Sequence, residues 1–278
     1  MVLPDVSVVV PLRDEAPNVL LLHEQLTEAL MPLAVPYELI FVDDGSEDET
    51  LALAVGLSAR DPHVRVIEFT RNFGQTAAFA AGFAQARGRL IVTSDGDLQN
   101  DPADIPRLLS LASDHDIVCG WRKDRQDAWL TRHVPSVVAN WLLGLVTGVR
   151  LHDNGCSLKV FRAEVVKPLA LTPGMHRYLP ALASQLGDRV TEVVVHHRAR
   201  RFGRSKYGLS RTFSVLRDIV SMPRLMRDAV HPVRPAAPIY EIRQVHGVDA
   251  DVDAGDVRRA PALPRHPQPG VEKGELDS

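Results

Sequence analysis

The chain is 278 residues long, 45% apolar, and carries a formal net charge of −3. That length makes one large domain or two small ones, the apolar share is that of an ordinary globular core, and no nucleic-acid partner is expected. Two cysteines, Cys119 and Cys156, are too few for a disulfide framework and suit a reducing compartment.

The first ten residues include Asp5 and run straight into a strand, so no signal peptide is expected. Residues 6–10 are a β-branched strand ended by Pro11, with a loop through Glu15, and 18–30 have helical spacing in Val19, Leu22, Leu26 and Leu30. Residues 37–42 form a second strand, closed by Asp43-Asp44-Gly45-Ser46. Ser46 and Glu49 make a capping box for a helix through Ala59. A third strand at 64–69 leads into Arg71-Asn72-Phe73-Gly74-Gln75 and an Ala-rich helix at 76–86.

Residues 90–93 read as a buried parallel strand that ends in Asp95-Gly96-Asp97-Leu98-Gln99. If strand geometry persists, Asp95 and Asp97 point the same way and offer two hard oxygen ligands to Mg2+ or Mn2+ shared with a diphosphate. Taken alone, such a triplet is a weak signal, because most are solvated loop acids. A helix at 103–113 and a strand near 117–119 follow. Strands alternating with helices of this length make an α/β protein, a mostly parallel central sheet flanked by helices, with ligands beyond the carboxyl ends of the strands. No Gly-x-Gly-x-x-Gly follows the first strand and no Gly-Lys-Ser/Thr loop occurs, which disfavours a dinucleotide oxidoreductase or a P-loop nucleotidase.

Later elements are a helix over 129–149, a turn at 153–157, a strand at 158–161, a helix at 178–187 and a strand at 190–196. The run at 134–149 is uncharged but too short to span a membrane, and holds Pro135, Asn140, Gly144 and Gly148. From Arg198 to Arg227 nine basic residues face one acid, Asp218. Residues 208–227 read as a basic amphipathic segment lying in an anionic membrane interface, or else as a surface helix packed on the domain. Residues 228–278, with seven prolines and little apolar periodicity, read as a disordered tail. The catalytic domain is then 1–207.

Val8-Val9-Val10-Pro11 with Glu15 and Asn18, Asp43-Asp44-Gly45-Ser46, Arg71 to Gln75 and Asp95 to Gln99 resemble the family 2 glycosyltransferases of the GT-A, Rossmann-like nucleotide-diphospho-sugar transferase fold. Arg125-Gln126-Asp127 with Trp129, Asp153-x-Gly155-Cys156 and Arg200-x-Phe202-Gly203-x-Ser205-Lys206-Tyr207 are similar to the polyprenyl-phosphate subgroup, across about residues 5 to 222. The bacterial undecaprenyl-phosphate 4-deoxy-4-formamido-arabinose and glucose enzymes are the nearer resemblance, dolichol-phosphate mannosyltransferase a more distant one.

The resemblance implies an inverting, metal-dependent transferase that moves a sugar from a nucleotide-diphospho-sugar, UDP-linked in preference to GDP-mannose, to a polyprenyl phosphate. It would work peripherally at the cytoplasmic face of the membrane, and a homo-oligomer stays open. On the donor side it implies Pro11, Glu15, Asp43, Asp44, Gln75 and Asp95; for the acid pair, capping of the next helix is the plain alternative. Asp95, Asp97 and Gln99 would hold the cation. The acceptor, already an anion, needs positive charge rather than a general base. Arg122, Arg132, Arg200 and Lys206 would supply it, with Ser136, Asp153 and Ser205 beside the acceptor; Asp153 touches it, orients an arginine or simply forms the turn. His196, His197 and Cys156 read as structural. Many relatives continue into two spanning helices after the Ser-Lys-Tyr motif, and this chain does not. A saccharide or protein acceptor, or a silent nucleotide-sugar-binding or scaffolding protein, are the competing readings.

Overall fold

A computed structural model describes residues 3–123, 134–199, 210–231 and 239–247, with side chains from 140 onward in the fifth helix and at 218 and from 221 onward in the eighth. The strands are β1 (Val6–Leu12), β2 (Tyr37–Asp43), β3 (Val64–Phe69), β4 (Leu90–Thr93), β5 (Ile117–Trp121), β6 (Lys159–Arg162), β7 (Val190–Val194) and β8 (Ile242–His246). The helices are α1 (Ala16–Leu30), α2 (Thr50–Ser58), α3 (Gln75–Gln85), α4 (Ile105–Leu111), α5 (Val134–Thr147), α6 (Ala163–Val166), α7 (Leu179–Ala183) and α8 (Ser210–Val230).

One eight-stranded sheet has the order β7-β5-β6-β4-β1-β2-β3-β8. β1 pairs in parallel with β2 and β4, and β2 with β3, while β6 runs antiparallel between β4 and β5. The chain winds outward from β1 in both directions, so the crevice of an open α/β sheet opens at the carboxyl ends of β1, β2 and β4. Alternate side chains of β1 serve two cores. Val8 and Val10 pack with Leu22, Leu26 and Leu30 of α1, whereas Val9 faces the core under α3. A Cβ on Gly82 of α3 would lie 2.2 Å from Val9 Cγ1, so only glycine lets α3 rest this close to β1. The helical spacing read in α1 is its buried stripe; truncating fully buried Leu22 to Ala costs about 2–5 kcal/mol.

Several boundaries differ from expectation. The capping box at Ser46 and Glu49 does not form. Ser46 Oγ accepts the Asp14 N–H at 3.1 Å instead, and α2 begins at Thr50, whose N–H donates to Asp48 Oδ1 at 2.9 Å. The segment expected as a helix over 103–113 is a 3-10 turn, Pro102–Asp104, followed by α4, and that expected over 178–187 is a 3-10 turn, Met175–Tyr178, followed by α7. Within the segment expected to start at 129, helix is described from Val134. The tail expected from 228 onward is corrected for two stretches: α8 runs to Val230, and β8 pairs antiparallel with β3 at the sheet edge. The remainder of 228–278 lies outside the described residues. Of the two readings of 208–227, packing holds for the later turns of α8, where Met222, Met226 and Ala229 are buried in the core. Among the described residues no helix is long and apolar enough to cross a membrane.

Candidate active site

The rims of β1, β2 and β4 are drawn together by their register. Leu12 stands beside Asp43, Asp44 N–H donates to Leu12 O at 2.9 Å, and Ser94 N–H donates to Val9 O at 3.2 Å. Pro11 and Glu15 therefore flank the acid pair on one side and the Asp95–Asp97 turn on the other. Gly96 is pressed into this junction: a Cβ there would meet Leu12 Cδ2 at 2.7 Å and Pro11 O at 3.2 Å. Glu15 is held by the amide of Asn18, whose Nδ2 donates to Glu15 Oε2 at 2.6 Å.

Asp43 and Asp44 are both buried, and burial pushes both carboxyls above the ordinary carboxylate range. Their surroundings differ. Asp44 accepts the backbone N–H groups of Phe73, at 2.7 Å, and Gly74, at 2.9 Å, together with Asn72 Nδ2 at 3.1 Å. Both of its oxygens hold the Arg71–Gln75 loop. Gly45, at φ +69°, permits the approach; a Cβ would stand 2.6 Å from Arg71 C and Asn72 N. Asp43 accepts the Ser46 N–H at Oδ2 and 3.2 Å, and among the described residues its buried Oδ1 has no hydrogen-bond partner. A buried carboxylate oxygen left without a donor is expensive, and a ligand N–H or O–H would satisfy it.

β4 ends at Thr93, so strand alternation does not govern Asp95 and Asp97 as expected. A turn does. Leu98 takes a left-handed φ of +60° with its side chain buried, and Gln99 N–H donates to Asp97 Oδ1 at 3.1 Å. A non-glycine residue there stores about 1 kcal/mol or more of backbone strain, which the surrounding contacts must offset. Asp95 Oδ1 accepts Gln75 Nε2 at 2.7 Å, which ties the first turn of α3 to the acid turn. Asp95, Asp97 and Gln99 supply carboxylate and amide oxygens, a hard donor set that suits Mg2+ or Mn2+. No group of three or more His, Cys, Asp or Glu able to hold a metal occurs among the described residues.

Arg122 follows β5 and its side chain is largely buried. Burial opposes its charge, but Asp153 more than offsets this and holds the guanidinium above its ordinary pKa, with Asp95 contributing across the rim. Nε donates to Asp153 Oδ2 at 2.7 Å and Nη2 to Oδ1 at 3.0 Å. Asp153 thus orients an arginine. Gly155, next to the pair, leaves room for it; a Cβ would lie 3.3 Å from Arg122 Nη2.

The start of the basic run is bound to the acid turn. Asn100 bridges His197, Arg198 N–H donates to Gln99 O at 2.8 Å, and the Arg198 guanidinium pairs with Asp101 at 2.6 Å. Arg132, Arg200, Ser205 and Lys206 lie outside the described residues, and Ser136 falls in the part of α5 whose side chains do. His196 caps Asp104 (N–H to Oδ2, 2.7 Å), as a structural histidine does. Cys156 is enclosed, and burial pushes its thiol up to about 11, which suits a packed residue and not a nucleophile. Arg198 was legible as part of the basic run, but its pairing with Asp101 was not, nor was the Gln75–Asp95 contact; neither has a local pattern that would reveal it.

A sequence profile described as "Glycosyl transferase family 2" matches residues 7–169. The dodecaprenyl-phosphate galacturonate synthase of Rhizobium johnstonii is 46% identical over 233 residues, covering 82% of this chain and 69% of that protein. The undecaprenyl-phosphate 4-deoxy-4-formamido-L-arabinose transferase of Yersinia enterocolitica is 38% identical over 219 residues, covering 78% and 66%. The chain thus spans about two thirds of the length of these curated relatives. Glucosyl-3-phosphoglycerate synthase of Mycobacterium tuberculosis, solved with Mn2+, UDP-glucose and phosphoglyceric acid, superposes with a TM-score of 0.58 at 21% identity over 78% of both chains. That likeness bears out the expected GT-A sheet. With a family match over more than half of its length and a relative of this identity, the chain belongs to glycosyl transferase family 2.

Proposed function

We propose that this protein transfers a sugar from a nucleotide-diphospho-sugar to the phosphate of a polyprenyl lipid. One observation carries the choice of acceptor: the two relatives above differ in the sugar they are named for, yet both are named for a polyprenyl phosphate.

On this reading, Asp43 Oδ1 accepts a hydrogen bond from the donor's base, and Pro11, Glu15 and Gln75 line the same rim. Asp44 acts at one remove, by fixing the loop that carries Gln75. Asp95, Asp97 and Gln99 would hold Mg2+ or Mn2+, and the cation would supply positive charge against the leaving diphosphate. Support for a metal comes from the hard donor set and from a structural neighbour solved with Mn2+. Asp153 keeps Arg122 charged and aimed, and Arg132, Arg200 and Lys206, with Ser136 and Ser205, complete an anion-binding side for the lipid phosphate. Two anions must approach one another for in-line displacement, so cationic side chains lower the barrier by positioning and by charge.

The same reading sets the protein on a membrane surface. Trp141 is 63% exposed and Leu145, one turn on, 56%. α8 packs on α5, and Val146 and Arg227 line one cavity of about 360 Å3. Exposed Trp and Leu on α5, and exposed Arg224 and Arg227 on the helix packed against it, suit an anionic lipid interface.

Incubation with labelled UDP-sugars and GDP-mannose, Mn2+ or Mg2+, and undecaprenyl phosphate tests the proposal. Label is expected in the organic phase with a UDP-sugar. Transfer only to a water-soluble acceptor, or no transfer despite nucleotide binding, would overturn it.

A further inference from the structure

We infer that residues 239–246 are a strap that positions the donor-side loop Arg71–Gln75, and that Tyr240 is its positioning residue. The catalytic consequence rests on the donor reading given above; the mechanical part does not.

The strap reaches the loop along a continuous set of contacts. β8 adds to the outer edge of β3 with Phe69 opposite Ile242, and its register shifts between Glu68 and Phe69. There Thr70 N–H donates to Glu241 O at 3.0 Å and Arg243 Nη2 donates to Thr70 O at 3.2 Å. Both backbone groups of the residue that opens the loop are thereby fixed from the strap. Arg243 also pairs with buried Glu68 at 2.9 Å, and His246 Nε2 lies 3.1 Å from the other oxygen of Glu68. Tyr240 stacks on Phe69 with ring centroids 5.4 Å apart and planes 6° from parallel. Phe69 in turn meets Phe73 edge-on at 5.7 Å. Phe73 N–H is the group that donates to Asp44, and Gln75, two residues on, donates to Asp95. Three rings therefore connect a segment far along the chain to the two hydrogen bonds that shape the rim.

Covering the β3 edge would need only the ladder. It does not need a ring on Phe69, nor two hydrogen bonds to Thr70 beyond the ladder. On the inner side the loop is held by Asp44 and, through Gln75, by Asp95. Held at both sides, the loop keeps Gln75 in register with Asp95; released from the strap, it would keep only its inner contacts to Asp44 and Asp95.

Hydrogen exchange at 70–75 and titration with UDP and Mn2+ are measured on the full chain for wild type, Tyr240→Phe and Tyr240→Ala, with Tyr240→Leu as a second apolar variant should Tyr240→Ala not fold. Tyr240→Ala should speed exchange at 70–75 while β1 and β4 stay protected. It should weaken UDP–Mn2+ binding about two- to tenfold, the worth of an aromatic pair, and leave the KM for polyprenyl phosphate unchanged. Tyr240→Phe should behave as wild type. Unchanged exchange at 70–75, or a lower Tm with donor and acceptor constants both unmoved, would reduce the strap to an edge cover. If wild type binds neither UDP nor GDP, the donor reading fails, and the exchange data still decide the strap.

Discussion

Arg122 and Asp153 form a two-bonded ion pair at 2.7 and 3.0 Å, with side chains only 13% and 4% exposed. Removing one partner from such a pair strands a charge. Asp153→Ala should therefore lower stability by about 3–5 kcal/mol, whereas a double variant with Arg122→Met should recover much of that loss. Urea unfolding of the four proteins of the cycle checks it, and additive losses would show that the two groups do not depend on each other.

Asp43 presents the opposite bargain. Its carboxyl is raised above 3.8 by burial first, and Oδ1 goes unmet. A carboxyl that holds its proton longer in the folded state than in the unfolded one opposes folding once ionised. That penalty grows as pH rises from 3.8 through the folded value and is fully present above it. Asp43→Asn should therefore stabilise the protein by about 1 kcal/mol at pH 7, and the gain should fade as pH drops below the ordinary carboxylate value. The same change should weaken uridine nucleotide binding about tenfold to a hundredfold, because a charged acceptor is lost. Thermal melts across pH and nucleotide titration measure the two effects; destabilisation at pH 7 would show that Oδ1 is satisfied in solution.

How far these residues could be read from sequence depends on the range of the contact. β4 was legible residue for residue at 90–93, and the α1 stripe by its spacing, because each is written in a local apolar pattern. The acids of the rim were legible as types in order along the chain. What they touch was not: Asp44 is spent on a loop some 30 residues away, and Arg122 on an acid 31 residues on, pairings decided by which strand ends lie side by side. β8 escaped for a related reason. It brings few apolar residues of its own among the prolines, and owes its strand form to the waiting edge of β3. The capping box failed because Asp14, across the rim, competes for the Ser46 hydroxyl, which no window around Ser46 contains.

Asp97 is buried in a strained turn, with Oδ1 accepting the Gln99 N–H. Asn keeps an oxygen for that bond and removes the negative charge a divalent cation needs. Asp97→Asn should thus fold normally yet lower transfer to polyprenyl phosphate about a hundredfold or more in Mn2+. Wild-type rates from this variant would remove Asp97 from the metal assignment, and a collapse of Tm would make it a structural acid instead.

The membrane-facing reading of α5 and α8 is open to direct measurement. Arg224 and Arg227 keep 79% and 68% of their side chains exposed, and among the described residues each pairs with Asp228, at 3.4 Å. A cation near an anionic bilayer contributes about 1 kcal/mol, so replacing both by Gln should weaken partition into phosphatidylglycerol vesicles about thirtyfold at low salt. Trp141→Ala acts on the other half of the face and should weaken binding to neutral vesicles as well, since its contribution is apolar and not screened. The two variants therefore separate by salt: raising ionic strength should erase the arginine effect and leave the tryptophan effect. Flotation that stays at the wild-type fraction for both variants would mean that α5 and α8 face water and that the lipid is met elsewhere on the domain.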